Sequence, residues 1–134
     1  MFALLIADDD PASRQRLASL LMEEGYDVFT TDSVADVIEG ILTQLTQVVI
    51  LGTRIGGTAL IELLPVLSRC KGEFKVIVAS DETQIAAVRR LRREGIFYLL
   101  AKPVDAEDGE EVRQVVQCAF ETLKSRRGRI PCGT

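Results

Sequence analysis

Five short apolar segments rich in β-forming residues alternate with helical patterns, and this alternation constrains the fold more than any other feature of the chain. The predicted strands are approximately Ala3–Ala7, Tyr26–Thr30, Gln47–Leu51, Phe74–Ala79 and Phe97–Ala101. The first, third and fourth are nearly continuous apolar runs, which is typical of parallel strands covered on both faces. The sequence therefore predicts an α/β fold, with a doubly wound five-stranded parallel sheet, right-handed crossovers and helices on both faces.

The helices have recognisable starts and breaks. Asp10 is a good N-cap, and Pro11 follows at the first helical position, where its missing N–H is not needed. Ser33 is expected to cap a second helix, while Pro65 is expected to kink or restart the third. The apolar stripe of the second helix is predicted to contain Val34, Val37, Ile38, Ile41, Leu42 and Leu45. The later helices are expected at Leu60–Arg69, Gln84–Glu94 and about Glu107–Ser125.

Length and composition describe one globular domain. The chain has 134 residues, 47% of them hydrophobic, which is enough for a sizeable core. Its net charge of −4 gives no reason to expect nucleic-acid binding, and no apolar run approaches the roughly 18 residues that span a bilayer. Cys70, Cys118 and Cys132 are scattered and odd in number, which favours a reducing cytoplasm over a disulfide framework. We expect a folded domain at residues 1–125 and a flexible tail at residues 126–134.

Polar residues follow the first, fourth and fifth predicted strands, and a glycine follows the third. Asp8 and Asp9 come after the first strand, Gly52 after the third, Ser80 after the fourth and Lys102 after the fifth. Because the carboxyl ends of parallel strands meet at one edge of a sheet, we expect these residues to converge. Adjacent carboxylates repel each other unless a cation or ammonium group intervenes, and oxygen ligands suit Mg²⁺. The acids, the hydroxyl and the lysine look like three of the groups of a phosphorylation site. Its fourth group, the acceptor carboxylate, is missing.

The runs that carry these residues resemble the receiver domain of two-component response regulators. They are Leu5–Pro11, Val48–Gly52, Val76–Ser80 and Ala101–Pro103, and the resemblance covers about Phe2–Leu123. It implies a flavodoxin-like (βα)5 fold with strand order 2-1-3-4-5. It also implies a role as a non-catalytic signal-transduction module rather than an enzyme.

Carried over by position, the resemblance implies a role for each residue at this edge. Asp8 and Asp9 match the acid pair, with Asp9 the direct Mg²⁺ ligand, while Ser80 and Lys102 match the groups that contact the phosphate. Gly52 stands where the phosphoacceptor aspartate belongs, and a glycine has no carboxylate to phosphorylate. We therefore expect no cofactor other than Mg²⁺, whose binding is weak or absent. An alternative stays open for each group. The acids could be held by an ion pair with Lys102 instead of binding Mg²⁺, and Ser80 could be a simple turn or cap hydroxyl.

Two further positions depart from the family's pattern. The loop after the acceptor position usually reads Met-Pro-x-x-Asp-Gly, whereas Ile55-Gly56-Gly57-Thr58-Ala59-Leu60 stands here. Leu99 occupies the position of the family's aromatic switch residue, three residues before the lysine.

Four arginines on the predicted fourth helix form a second candidate site, and they are Arg89, Arg90, Arg92 and Arg93. In receivers the surface of helix 4, strand 5 and helix 5 is the usual partner or dimer face, so the resemblance implies an electropositive docking patch. A solvated helix face is the alternative. The acidic segment Asp105–Glu111 lies close by and could pair with the arginines in a homodimer. Expected partners are a histidine kinase, an effector domain or another signalling protein, with no nucleic acid and no membrane.

An enzyme is the alternative from another class. Asp8-x-Asp10 after the first strand resembles the opening motif of haloacid-dehalogenase-type phosphotransferases, which would use Asp8 and Asp10 with Mg²⁺. Those enzymes need a second acidic pair on a late strand end and a cap insertion, and the chain supplies neither. A flavin-binding flavodoxin is disfavoured, because three acids after the first strand would repel a phosphate.

Overall fold

The computed structural model describes residues 2–70, 72–81, 85–101 and 109–128. In these ranges the strands, in chain order, are β1 (Ala3–Ala7), β2 (Asp27–Thr31), β3 (Val48–Leu51), β4 (Arg54–Ile55), β5 (Thr58–Ala59), β6 (Lys75–Ser80) and β7 (Tyr98–Ala101). The helices are α1 (Pro11–Glu23), α2 (Val34–Leu42), α3 (Leu60–Ser68), α4 (Ile85–Arg93) and α5 (Gly109–Gly128).

Five of the strands form one sheet in the order β2-β1-β3-β6-β7, and every pair in it is parallel. Counted along the chain, this is the predicted order 2-1-3-4-5, so the doubly wound fold is confirmed. Each of these strands lies within one residue of its predicted bounds. The short strands β4 and β5 were not predicted, and they form an antiparallel hairpin of their own.

Two apolar layers bury the sheet. Side chains alternate along β1, so that Leu4 and Ile6 face the layer formed with α1 and α5, whereas Leu5 and Ala7 face the layer formed with α2, α3 and α4. All four residues of β3 are buried for the same reason. This two-sided burial explains why the central strands are nearly continuous apolar runs in the sequence.

The two predicted helix caps are confirmed. The Asp10 carboxylate accepts a hydrogen bond from the N–H of Ala12 at 3.1 Å, and Pro11 begins α1. The Ser33 hydroxyl accepts from the N–H of Asp36 at 3.4 Å at the start of α2. Each side-chain oxygen pairs one of the N–H groups that a helix start leaves without a backbone partner.

The predicted apolar stripe of α2 is wrong at its end. Leu42 and Leu45 are 57% and 61% exposed. Leu42 lies about 100° around the helix axis from the buried Ile41 and so faces away from the sheet. The helix ends at Leu42, and Gln44 adopts a φ of 59°, so that Leu45 belongs to the turn before β3.

The other helices differ from prediction mainly at their ends. Helix α3 runs through the exposed Pro65 without restarting, because one lost hydrogen bond is tolerated on the solvent side. The predicted starts at Gln84 and Glu107 lie outside the described residues. Helix α5 continues past the predicted end at Ser125 to Gly128. In the described ranges, none of these helices has the length and apolar character required to cross a membrane.

Candidate functional site

Parallel register brings the ends of three neighbouring strands to one edge of the sheet, which we call the rim. Ala7 of β1 lies opposite Leu51 of β3, and the N–H of Gly52 donates to the carbonyl of Ala7 at 2.8 Å. Ser80 is the last residue of the next strand, β6, and is buried. Asp8, Gly52 and Ser80 therefore lie at the same edge. Lys102 is outside the described residues, so its approach to the acids stays a prediction.

The Asp8 carboxylate fills the space above Gly52. An ideal Cβ added to Gly52 would lie 2.5 Å from each oxygen of this carboxylate, well inside any allowed contact. Asp8 is only 4% exposed, and its Oδ1 accepts a hydrogen bond from the N–H of Asp10 at 3.0 Å. The position expected to lack a carboxylate therefore has one beside it, supplied by the neighbouring strand.

Backbone N–H groups hold the Asp9 carboxylate. Its two oxygens accept hydrogen bonds from the N–H groups of Gly56 at 2.7 Å and Gly57 at 2.9 Å. These glycines link β4 to β5 with φ values of 57° and 77°, the left-handed pattern of a two-residue hairpin turn that glycine adopts readily. The N–H of Asp9 also donates to the carbonyl of Arg54 at 2.9 Å. We call Asp9, Gly56 and Gly57 the Asp9 clamp.

The clamp favours the charged form of Asp9. The N–H groups of Gly57 and Gly56 lower the pKa of the Asp9 carboxyl, and the nearby charges of Arg54 and Arg14 act in the same direction. Both arginines are tied to the rim backbone. Arg14 Nη1 donates to the carbonyl of Asp8 at 2.6 Å, and Arg54 Nη1 donates to that of Gly57 at 2.9 Å.

The sequence analysis did not predict that Arg14 and Arg54 lie at the rim, nor that the Gly56-Gly57 turn binds the Asp9 carboxylate. A Gly-Gly pair between two short β-forming segments is a hairpin signal, and that signal was available in the residues from Arg54 to Ala59. The contact between the turn and Asp9 joins residues 47 positions apart and has no local signature.

In this arrangement the two acids accept backbone hydrogen bonds that would compete with the Mg²⁺ implied by the resemblance. Mg²⁺ requires oxygen ligands in near-octahedral geometry and usually keeps several of its waters. Both oxygens of Asp9 already accept backbone hydrogen bonds, and Oδ1 of Asp8 accepts one from Asp10. Within the part of the chain that the structure describes, no group of three or more acidic, cysteine or histidine side chains could hold a metal ion.

Asp10 is used differently from what the phosphotransferase alternative requires. Its carboxylate accepts from the N–H of Ala12 as the N-cap of α1, while its own N–H donates to Asp8. The side chain is committed to the helix start. The geometry therefore does not support catalysis by Asp8 and Asp10.

The four candidate arginines on α4, which are Arg89, Arg90, Arg92 and Arg93, are all exposed. We call them the arginine face. Next to it, the Tyr98 hydroxyl of β7 donates to Glu111 of α5 at 3.0 Å, and this hydrogen bond raises the pKa of Tyr98. Leu99 is half-buried against the layer that contains α4. Residues 102–108, which contain most of the predicted acidic counterpart, lie outside the described ranges.

The chain is similar in sequence to known signalling proteins. A family model described as the response regulator receiver domain matches residues 4–114. The acid tolerance regulatory protein ActR of Sinorhizobium medicae is 29% identical over 106 residues, covering 79% of this chain and 55% of ActR. The nitrogen assimilation regulatory protein NtrX of Azorhizobium caulinodans is 28% identical over 130 residues, covering 92% of this chain and 27% of NtrX. The chain thus spans about half or less of these relatives.

Solved structures show the same fold. The signal receiver domain of a putative Luxo repressor protein from Vibrio parahaemolyticus has a TM-score of 0.81 at 18% identity, covering 93% of this chain and 94% of that one. The beryllofluoride-activated NtrC4 receiver domain dimer, solved in solution, has a TM-score of 0.74 at 19% identity, covering 87% of this chain and 98% of that one.

The packing of Asp8 on Gly52 predicts an energetic coupling between the two positions. Gly52 has no positive φ, so Gly52→Ala is expected to cost about 1–3 kcal/mol because its methyl must displace the buried Asp8 carboxylate from its hydrogen bond. In an Asp8→Ala background the same change is expected to cost less than about 0.5 kcal/mol. Urea unfolding of the four proteins gives the coupling free energy. Equal costs in both backgrounds would contradict this placement.

The Asp9 clamp predicts a pH-dependent difference in stability. Because the folded-state pKa of Asp9 is lowered, its stabilisation is fully present above the unfolded value of about 4 and is lost as pH falls through the folded value. Wild type is therefore expected to unfold at higher urea than Asp9→Asn at pH 7, with the gap closing in acid. Amide hydrogen exchange at Gly56 and Gly57 should be faster in Asp9→Asn, whereas Gly95, whose N–H bonds to Arg92 in another turn, serves as the unaffected control. Unchanged exchange at the glycines would refute the clamp.

Proposed function

The chain belongs to the response regulator receiver domain family, and we propose that it is a receiver that signals through protein contacts without aspartyl phosphorylation at position 52. One observation carries the proposal: Gly52 follows β3 at the rim, and the Asp8 carboxylate occupies the space that an acceptor side chain would need. A glycine cannot form an acyl phosphate. The domain is then a non-catalytic signalling module.

Without a phosphoryl group, another ligand has to bind one conformation of the domain better than the other. A ligand shifts a conformational equilibrium only by binding one state better than the other, and a protein partner can do this as well as a phosphate. The Asp9 clamp supports this view, because it ties the hairpin of β4 and β5 to the end of β1 through the chain's own backbone.

The arginine face is the proposed partner surface. Its four exposed guanidinium groups favour an acidic surface on a signalling protein, such as a histidine kinase or an effector domain. The beryllofluoride-activated NtrC4 receiver domain is a dimer, which supports a homodimer as the second form of the proposal. We propose α4, β7 and α5 as its surface. In that homodimer, Glu110 and Glu111 at the start of α5 would supply the opposite charge. Partners of this kind place the domain in the cytoplasm.

Phosphorylation chemistry provides the direct test. Incubation of the protein with acetyl phosphate and Mg²⁺ is expected to leave its intact mass unchanged, because position 52 has no carboxylate. The matched variant Gly52→Asp restores one and is expected to gain a one-phosphate mass shift, while a receiver with its own acceptor aspartate checks the reagent. A mass shift in the wild type would contradict the proposal. Loss of that shift in Asp8→Ala would then identify Asp8 as an acceptor.

We also propose that Mg²⁺ binds weakly or not at all, since the oxygens of Asp9 are used by Gly56 and Gly57. A site with a Kd of about 0.1 mM would add about 2.7 kcal/mol to the free energy of unfolding at about 10 mM Mg²⁺, which raises Tm by several degrees. We expect no such rise in wild type against a NaCl control of equal ionic strength. Gly52→Asp, with a third carboxylate at the rim, should be destabilised and partly restored by Mg²⁺. A rise of several degrees in wild type would show that the clamp yields to the metal.

A further inference from the structure

A cavity opens at the end of the sheet opposite the rim, where β6 and β7 begin. Its volume is about 450 Å³, which is within the range of small-molecule sites. It lies between the carboxyl ends of α3 and α4. Lys75, the first residue of β6, lines this cavity together with Glu94, which follows α4. Neither residue belongs to the rim or to the arginine face.

Apolar side chains form the walls of this cavity. Leu64, Leu67 and Val76 are buried in the core, whereas Phe74 and Phe97 are half-buried beside it. These side chains are packed by the fold itself. The apolar part of a ligand would therefore bind to a surface that already exists in the free protein.

Two opposite charges line the same cavity without pairing with each other. Lys75 and Glu94 are both half-buried, and among the described residues neither makes an ion pair, although the arginine face lies on the helix that Glu94 follows. The Lys75 ammonium lies over the ring of Phe97, 5.8 Å from the ring centroid, which holds its charge at the cavity wall. Partly desolvated charges gain from a partner of opposite sign, and a dipolar ligand would bring both partners at once.

Glu94 stands against the usual preference for charge at a helix end. It follows the last residue of α4, and its N–H donates to the carbonyl of Leu91 at 3.1 Å. Carbonyl groups at a helix C-terminus carry partial negative charge, which favours a cation there and opposes a carboxylate. At the end of α3, the Ser68 hydroxyl donates its proton to the carbonyl of Pro65 at 2.7 Å, so its oxygen is left as an acceptor. These groups together favour an ammonium group in the cavity.

We propose that this cavity binds a free α-amino acid with an apolar side chain. The ammonium group of the ligand pairs with Glu94, and its carboxylate pairs with Lys75. The ligand side chain lies against Leu64, Leu67 and Phe74. An acid without the amine leaves Glu94 unpaired, and an amine without the carboxylate leaves Lys75 unpaired. The site goes beyond the proposed function, because it uses neither the rim nor the arginine face.

Titration of ¹⁵N-labelled protein with L-phenylalanine, followed by NMR, tests the proposal. We expect a Kd of about 1 mM or tighter, with shifts at the amides of Gly95 and Phe97, which line the cavity, and none at Gly56 on the rim. Phenylacetate lacks the amine, phenethylamine lacks the carboxylate, and glycine lacks the side chain. Each of the three is expected to bind about tenfold or more weakly than L-phenylalanine.

Glu94→Gln and Lys75→Met separate ligand pairing from stability. Each removes one charge at nearly constant size, and each should weaken the binding of L-phenylalanine about tenfold or more. Because the Glu94 carboxylate opposes the dipole of α4, Glu94→Gln is expected to keep or raise the urea midpoint of the ligand-free protein. Glu62→Gln removes an exposed acid from the other end of α3 and should bind L-phenylalanine like wild type.

Four outcomes would overturn the proposal. They are the absence of shifts at about 20 mM L-phenylalanine, shifts confined to residues away from the cavity, equal binding of phenylacetate, and unchanged binding in either charge-removing variant. None of these results depends on whether acetyl phosphate labels the protein.

Discussion

The parallel register of β1, β3 and β6 determines the geometry of the rim. Because Ala7, Leu51 and Val78 lie at one level, the residues that follow them meet at one edge. Burial on both faces fixes this register, since a slip of one residue would exchange the two faces of every strand. The apolar runs that build the core therefore also decide which polar groups become neighbours. The function of the rim is set by the packing beneath it.

Backbone N–H groups donate hydrogen bonds to both neighbouring acids of the rim. Asp8 accepts from Asp10, and Asp9 accepts from Gly56 and Gly57. Hydrogen bonds to a carboxylate are among the stronger ones in proteins, and they need no added ion. Gly52 belongs to the same arrangement, because the missing side chain is what allows Asp8 to enter. Gly52 thus leaves space for one acid, and Gly56 and Gly57 donate hydrogen bonds to the other. Of these three glycines, the sequence pattern indicates a functional position only for Gly52.

Local patterns in the sequence were enough to predict the strands, their order by resemblance, and the caps at Asp10 and Ser33. They were not enough where the outcome depends on distant contacts. The Asp9 clamp joins residues 47 positions apart, and the side-chain direction of Asp8 depends on space left by another strand. The apolar pattern predicts that Leu42 is buried, but it is exposed at the last residue of α2. The approach of Lys102 to these acids stays a prediction.

The acidic run from Asp27 to Glu39, which includes β2, and the arginine face lie toward opposite edges of the sheet. Four spacings between five strands separate the two edges by about 19 Å, which exceeds the screening length of about 8 Å at physiological ionic strength. A charged macromolecule approaching by diffusion is therefore turned by the nearer edge before any surfaces touch. Such steering would give the domain a preferred direction of encounter and a higher association rate from that side.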